Sequence, residues 1–306
     1  MDRNVSQFEL AAGRSPRETV REVVLAAGLC WAGYRKKWRS VWPEVRSAFE
    51  DSGCASLEEF LSRLRRDPAL RGSLRPRLGI TVSRFFRGVR TLETLLAALE
   101  PCLPESGEVR AWSAGCSCGE EPYTLAIFWE ERIRPTRPDL TLNIVATDTR
   151  EDCLERARRA IYPPSALRNV PAETRARHFE PAAGDFQFLL PRSVAVRFQR
   201  GDLLEDPPPT GCAVALCRNL AFTYFDTEDR LRACAALAQA LEPGGFLAIG
   251  DREWLPPRAL RPSSAGSGLP ASQRQEGWFG PLPGDRTIFR RLPEAGGPAG
   301  TDGPAR

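Results

Sequence analysis

The sequence predicts an α/β protein, a doubly wound and mostly parallel sheet preceded by a small all-helical domain. Three observations carry this reading. β-prone runs alternate with helix-length segments from about residue 90 to residue 250, the pattern of parallel strands joined by helical crossovers. One strand-like run, Val109 to Trp112, breaks into a glycine loop that opens directly into a helix at Glu120. Residues 17 to about 66 show only helical apolar spacing, with no strand-like alternation.

The elements follow in order. Residues 1–16 have no apolar period and are expected to be frayed and disordered. Residues 17–79 form the helical domain and its linker. Val20, Val23, Val24 and Ala27 make one apolar stripe, and Leu57, Phe60, Leu61 and Leu64 make another. Ser56 with Glu59 three residues later is a capping box for the later helix. The stretch DPALRGSLRPRLG, residues 67–79, reads as a turn-rich link. Residues 80–292 form the sheet domain. Helices are expected at 90–100, 120–134, 151–160 and 227–241, and strands at 109–113, 142–147, 194–198, 212–217 and 246–250. From Pro256 the chain is rich in Pro, Gly and Ser and reads as loop. Thr287 to Arg290 offers one last edge strand, and residues 293–306 are expected to be disordered.

Composition excludes several classes. The 306 residues are 42% hydrophobic and 27% charged, ordinary for a globular chain. No apolar run approaches the roughly 18 residues of a membrane span, and the N-terminus lacks the apolar core of a secretion signal. A cytoplasmic monomer is expected. Nine cysteines are scattered without a CxxC pair, and His178 is the one histidine. A metal site is therefore not expected, and the thiols read as reduced. Ser-His-Asp and Cys-His catalysis are excluded on the same ground, and His178 reads as a surface or packing residue.

Charge is uneven. Residues 1–90 hold 18 Lys or Arg against 10 Asp or Glu, and the remaining 216 hold 25 against 29. The basic excess peaks at Arg35, Lys36, Lys37 and Arg39. It reads either as a docking face for an acidic partner or as solvated helix faces. No stacking motif, zinc finger or helix-turn-helix supports nucleic acid as that partner.

The glycine loop is the most informative stretch. Gly115 and Gly119 allow close backbone approach to a ligand and positive φ. The helix that follows starts with Glu120 and Glu121, which disfavours a pyrophosphate at that N-terminus. A neutral or cationic ligand with a ribose and an amino-acid end suits it better, and S-adenosylmethionine is the obvious candidate. Other strand ends add polar groups where a parallel sheet binds ligands. Asp148 ends one strand and suits a ribose diol. Gly201-Asp202-Leu203 follows the next and suits an adenine edge, and Arg218-Asn219 follows the strand after it.

Taken together these pieces resemble the CheR-type chemotaxis-receptor glutamate methyltransferases over roughly residues 18–255. The matching segments are ITVSRFFRG (80–88), RAWSAGCSCGEEPYTLAI (110–127), IVATDT (144–149), GDLLED (201–206), LCRNLAFTYFD (216–226) and LEPGGFLAIG (241–250). The resemblance implies a class I methyltransferase fold using S-adenosyl-L-methionine. It also implies a short antiparallel flap, here about 179–198. By motif, Thr81, Ser83 and Arg87 would touch the cofactor, beside Gly115 of the glycine loop. Glu121 would hold its amino-acid end, Asp148 the ribose, and Asp202 and Leu203 the adenine side. Asn219 and Leu220 would close the site. Arg87 and Tyr224 would serve catalysis, with Tyr224 near the methyl group. The partner would be a chemoreceptor-like protein with an acidic helical surface, met by Arg35, Lys36, Lys37 and Arg39.

The chain departs from the family pattern at Thr81, Ser83 and Arg84, in the segment after Asn219, and at Gly250-Asp251-Arg252-Glu253. The changes in the segment after Asn219 and at 250–253 put the acceptor in question. A different acceptor such as a small acid, or a non-catalytic S-adenosylmethionine-binding docking module, are therefore the alternative functions. Carboxylate methylation needs no general base, because the acceptor is already ionised near neutral pH. A single histidine is no obstacle to it. Some relatives dock a receptor tail onto the flap as an added strand. Here the flap loop is short and its return strand starts behind Pro191, so tethering of that kind is not expected.

Overall fold

A computed structural model describes residues 14–80, 83–260 and 277–293. The helical region comprises α1 (Pro16–Ala26), α2 (Trp31–Tyr34), α3 (Trp38–Ser52), α4 (Leu57–Arg66) and α5 (Pro68–Arg77). Both predicted stripes turn inward. Val20, Val23, Val24, Phe60 and Leu64 are fully buried in one core with Val45 and Leu78. Residues 14–16, expected to be frayed, are instead ordered at the start of α1, which begins at Pro16. Ser15 caps it in a complete capping box with Glu18, and Arg14 pairs with Glu22 and Glu58. Residues 1–13 and 294–306 lie outside the described residues, as does most of the stretch read as loop after Pro256, 261–276.

The turn-rich link is a correction: residues 68–77 are helical. Asp67 accepts hydrogen bonds from the Ala69 and Leu70 amides, and Pro68 occupies the first turn, where its missing N–H costs nothing. Arg71 reaches back to the Leu64 and Arg65 carbonyls, and Leu74 fills the helical core. Gly72 and Pro76 read as breakers in isolation; packing and capping outweigh them.

The sheet domain runs α6 (Val89–Leu99), β1 (Gly107–Ala114), α7 (Glu120–Phe128), β2 (Leu140–Asp148), α8 (Glu151–Arg159), β3 (Ile161–Tyr162), α9 (Ala172–His178), β4 (Phe179–Ala182), β5 (Asp185–Phe188), β6 (Val194–Arg200), β7 (Cys212–Cys217), α10 (Ala221–Tyr224), α11 (Thr227–Ala240), β8 (Leu241–Ile249), β9 (Phe279–Pro281) and β10 (Ile288–Arg291). The main sheet has the order β6-β2-β1-β7-β8-β10-β9. Strands β6, β2, β1, β7 and β8 are parallel, and β10 runs antiparallel to β8 and β9. Every residue of β7 is buried, as a strand covered on both faces requires. Because β1 has β2 on one side and β7 on the other, crossovers diverge at its carboxyl end and leave a cleft there.

Three further differences concern boundaries. The helix expected at 120–134 is regular only to Phe128, and a π-helical turn, Trp129–Ile133, finishes it. Strand β9 was not expected; Phe279 is fully buried and pairs with Arg291, a long-range contact with no local signal. The flap expected at 179–198 is a three-stranded sheet, β3-β5-β4, drawn from residues 161–188. Val194 to Arg200 instead completes the main sheet beside β2, because its apolar residues meet β2 and α8 rather than the flap. Among the described residues no helix is long and apolar enough to cross a membrane.

Replacing the cap of α5, Asp67→Ala, strands two amide donors and should lower stability by about 1 kcal/mol. The denaturant midpoint measures it; an unchanged midpoint would mean the helix start is held by packing alone.

Candidate functional site

At the end of β1 the amides of Gly115 and Cys116 both donate to the Thr147 carbonyl (2.8 and 2.9 Å), which pins the glycine loop to β2. Gly115 has φ +76°, and a Cβ there would lie 2.5 Å from Leu220 Cδ2. Only glycine allows these two loops to close together. Gly119, φ +90°, then caps α7.

Glu121, in the first turn of α7, turns inward. Its carboxylate accepts from Ser113 Oγ (2.8 Å) and lies 3.4 Å from Arg218 Nη1. Burial pushes its pKa above the ordinary carboxylate value, and Arg218 pulls it part of the way back. Asp148, the last residue of β2, accepts from the Ser117 amide (2.8 Å) and the Arg150 amide (3.0 Å). Burial also raises its pKa, against those backbone hydrogen bonds. Two amides thus fix the orientation of the carboxylate.

Asp202, after β6, accepts from the Leu204 amide (2.8 Å), and Leu203 beside it is buried. Asn219, after β7, adopts φ +60° and accepts from Arg87 Nη2 (2.7 Å). Burial lowers the Arg87 pKa, and repulsion from Arg218 adds to the effect. Tyr224, at the end of α10, has its ring centroid 5.1 Å from that of Tyr34 in α2. Burial raises its phenol pKa and Arg87 opposes the shift.

These residues line two adjoining cavities that share Ile80, Gly115, Ser117 and Asn219. The outer one holds Asp148, Asp202, Leu203, Leu220 and Tyr224. The inner one holds Ser83, Arg87 and Glu121 with Arg84, Thr124 and Arg218. Every site residue expected from sequence, except Thr81, lines one cavity or the other. Thr81 lies outside the described residues. His178 is away from both cavities, buried 3.3 Å from Glu131.

Sequence reasoning named Arg218 and Glu253 without giving either a role, and missed Tyr34 and Arg75. Arg218, a charge ending an apolar strand, is buried and holds Glu121. Glu253, in the 250–253 segment that departs from the family pattern, accepts from the amides of Asn219 and Gly250 and from Thr223 Oγ1, contacts that its sequence position does not announce. Tyr34 and Arg75 reach the outer cavity from the helical region, which sequence order alone does not bring near the sheet.

Residues 81–266 match the family model described as "CheR methyltransferase, SAM binding domain". The chain belongs to the CheR methyltransferase family. It is similar to the chemotaxis protein methyltransferases of Listeria innocua and Listeria monocytogenes, each 34% identical over 197 residues, 64% of this chain and 73% of the relative. A chemotaxis protein methyltransferase of Vibrio cholerae is 31% identical over 183 residues, 58% of this chain and 63% of that protein. This CheR family member is an S-adenosyl-L-methionine-dependent methyltransferase. Its cavities suit that donor chemically. Ser117 Oγ is buried without a partner and lines both cavities, Asp148 presents an oriented carboxylate, and the glycine cradle at Gly115 leaves room for backbone approach.

Asp148→Ala should weaken donor binding by roughly 1.5–3 kcal/mol, the value of a charge-assisted hydrogen bond. Calorimetric titration with S-adenosylhomocysteine tests this; unchanged affinity would remove Asp148 from the ribose role.

Proposed function

We propose that the protein methyl-esterifies glutamate side chains of a chemoreceptor-like protein. The observation that carries this reading is the chemistry of the inner cavity. Three guanidinium groups line it, no histidine does, and its carboxylate is already engaged with Ser113 and Arg218. A site of this kind attracts an anion, and among the described residues lining it none is a base free to take a proton near neutral pH. A carboxylate acceptor is ionised there and needs no base, whereas an amine or alcohol acceptor does. The Tyr224 phenol and the Cys116 thiol are both pushed upward by burial, so neither is an ionised base at that pH. The names of the relatives support an acceptor in the chemosensory class.

In this reading Glu121 takes the donor's ammonium and Asp148 the ribose hydroxyls. Asp202 and Leu203 flank the adenine, and Thr81 and Ser83 add polar contacts. Asn219 and Leu220 close the site over Gly115. When bound, S-adenosylmethionine supplies a sulfonium methyl group. Arg87 pairs with the incoming carboxylate, held in place by its bond to Asn219, and Tyr224 walls the path of attack. The residues act by alignment and exclusion of water.

The docking face is assigned to Arg35, Lys36, Lys37 and Arg39, which are all exposed. Arg39 lies 4.7 Å from the Trp38 ring centroid. Desolvation and then repulsion from Arg87 lower the Lys37 pKa, so this end of the basic face lies within electrostatic reach of Arg87. The flap offers little alternative. Hydrogen bonding from the Leu189 amide to the His178 carbonyl sets the ladder so that residue 181 faces outward. That residue is proline and has no donor. At the other edge β3 has only two residues and is followed by Pro163-Pro164.

Incubation with labelled donor and a chemoreceptor fragment should give label released as methanol by mild base. Arg87→Ala should reduce that signal by about two orders of magnitude or more with little change in thermal transition. Base-stable label would overturn the ester, and normal turnover in the variant would overturn the role of Arg87.

Methylation should survive removal of the acceptor's last few residues and slow as ionic strength rises, since exposed charges act mainly on encounter. A strong loss on truncation, or a rate indifferent to salt, would refute docking through the basic face.

A further inference from the structure

Arg84 lines the inner cavity beside Ser83, Arg87, Glu121 and Arg218. The other cations there are engaged: Arg218 pairs with Glu121 and donates to the Arg87 and Gly88 carbonyls, and Arg87 donates to Asn219. Arg84 differs in having no ion pair: among the described residues no carboxylate lies within ion-pair distance of its guanidinium, and its Nε, like that of Arg218, is buried without a hydrogen-bond partner. It is also near enough to Arg87 to contribute to the depressed pKa of that residue. A partly buried cation beside a like charge, without a counter-ion from the chain itself, is unfavourable. A planar carboxylate would offset both costs and satisfy the fork of guanidinium donors.

We propose that Arg84 is a carboxylate-binding arm of the inner cavity. The inference rests on the reading of that cavity as the place where donor and acceptor meet. Two carboxylates would come there: the α-carboxylate of the donor's methionyl end and the acceptor's side chain. Glu121 favours the first, because the ammonium it would hold and the α-carboxylate share one carbon atom. Arg84 and Glu121 would then grip the two halves of one amino-acid group, leaving Arg87 to the acceptor.

The test compares wild type, Arg84→Met and Arg84→Lys in calorimetric titrations with S-adenosylhomocysteine and with 5′-methylthioadenosine, which lacks the amino-acid end. Arg84→Met should weaken S-adenosylhomocysteine by about 10- to 100-fold, leave methylthioadenosine unchanged, and be partly rescued by lysine. Unchanged S-adenosylhomocysteine binding with a KM for the receptor fragment raised by about 10-fold at saturating donor would assign the arm to the acceptor carboxylate. Equal loss for both nucleosides, or no change in either binding or KM, would overturn the proposal. Wild type that binds neither nucleoside would instead overturn the reading of the cavity itself.

Discussion

The buried ion pair between Arg218 and Glu121 is the constraint around which the site is built. Either charge alone would be costly in this interior, and each makes the other tolerable. The upward push of burial on Glu121 against the pull of Arg218 expresses that balance. Arg218 also donates to the carbonyls of Arg87 and Gly88. A Cβ at Gly88 would overlap the same guanidinium, and the backbone there has φ +58°. One arginine therefore joins the end of β7, the start of α7 and the segment entering α6, and that segment carries Ser83, Arg84 and Arg87.

A second carboxylate does similar work on the opposite wall. Glu253 is buried and accepts from the amides of Asn219 and Gly250, each at 2.7 Å, and from Thr223 Oγ1 at 2.6 Å. It fixes the strained Asn219 backbone, and the Asn219 side chain in turn orients Arg87. Thr223 precedes Tyr224 in α10, so the same carboxylate sets the helix that carries the tyrosine. Neither Glu253 nor Arg218 needs to touch a substrate to matter, because positioning catalysis is sensitive to small displacements.

The parts legible in the sequence were those with a local physical signal. Gly115 and Gly119 announce a loop, the apolar run of β7 announces a strand buried on both faces, and Asp148 and Asn219 sit at strand ends where a parallel sheet gathers its ligands. Ser56 was recognisable as a cap because its partner is three residues away. What escaped depends on distance along the chain. Phe279 forms a strand only because Arg291 is there to pair with it. Glu253 is 34 residues from the amide of Asn219 that it holds, and Val194 to Arg200 joins β2 rather than the flap through packing that alternation cannot specify. The helix at 68–77 is hidden for another reason: Gly72 and Pro76 look like breakers locally, whereas the Asp67-Pro68 start acts together with the burial of Leu74.

The helical region completes the cavity rather than standing apart from it. The Cys30 amide donates to the Tyr224 carbonyl at 2.7 Å, Leu29 bridges to Phe225, and Tyr34 stacks at a tilt on Tyr224. Gly33 approaches so closely that a Cβ would meet the Thr223 carbonyl oxygen at 2.6 Å. Arg75 closes the far side with a 2.7 Å ion pair to Asp229 and a hydrogen bond to the Ala27 carbonyl. These contacts converge on α10 and the start of α11, the short stretch that also forms one wall of the outer cavity. The basic face of α2–α3 and the residues proposed to receive the acceptor are thereby held by one set of bonds. The proposed docking face and the proposed acceptor site therefore share one support.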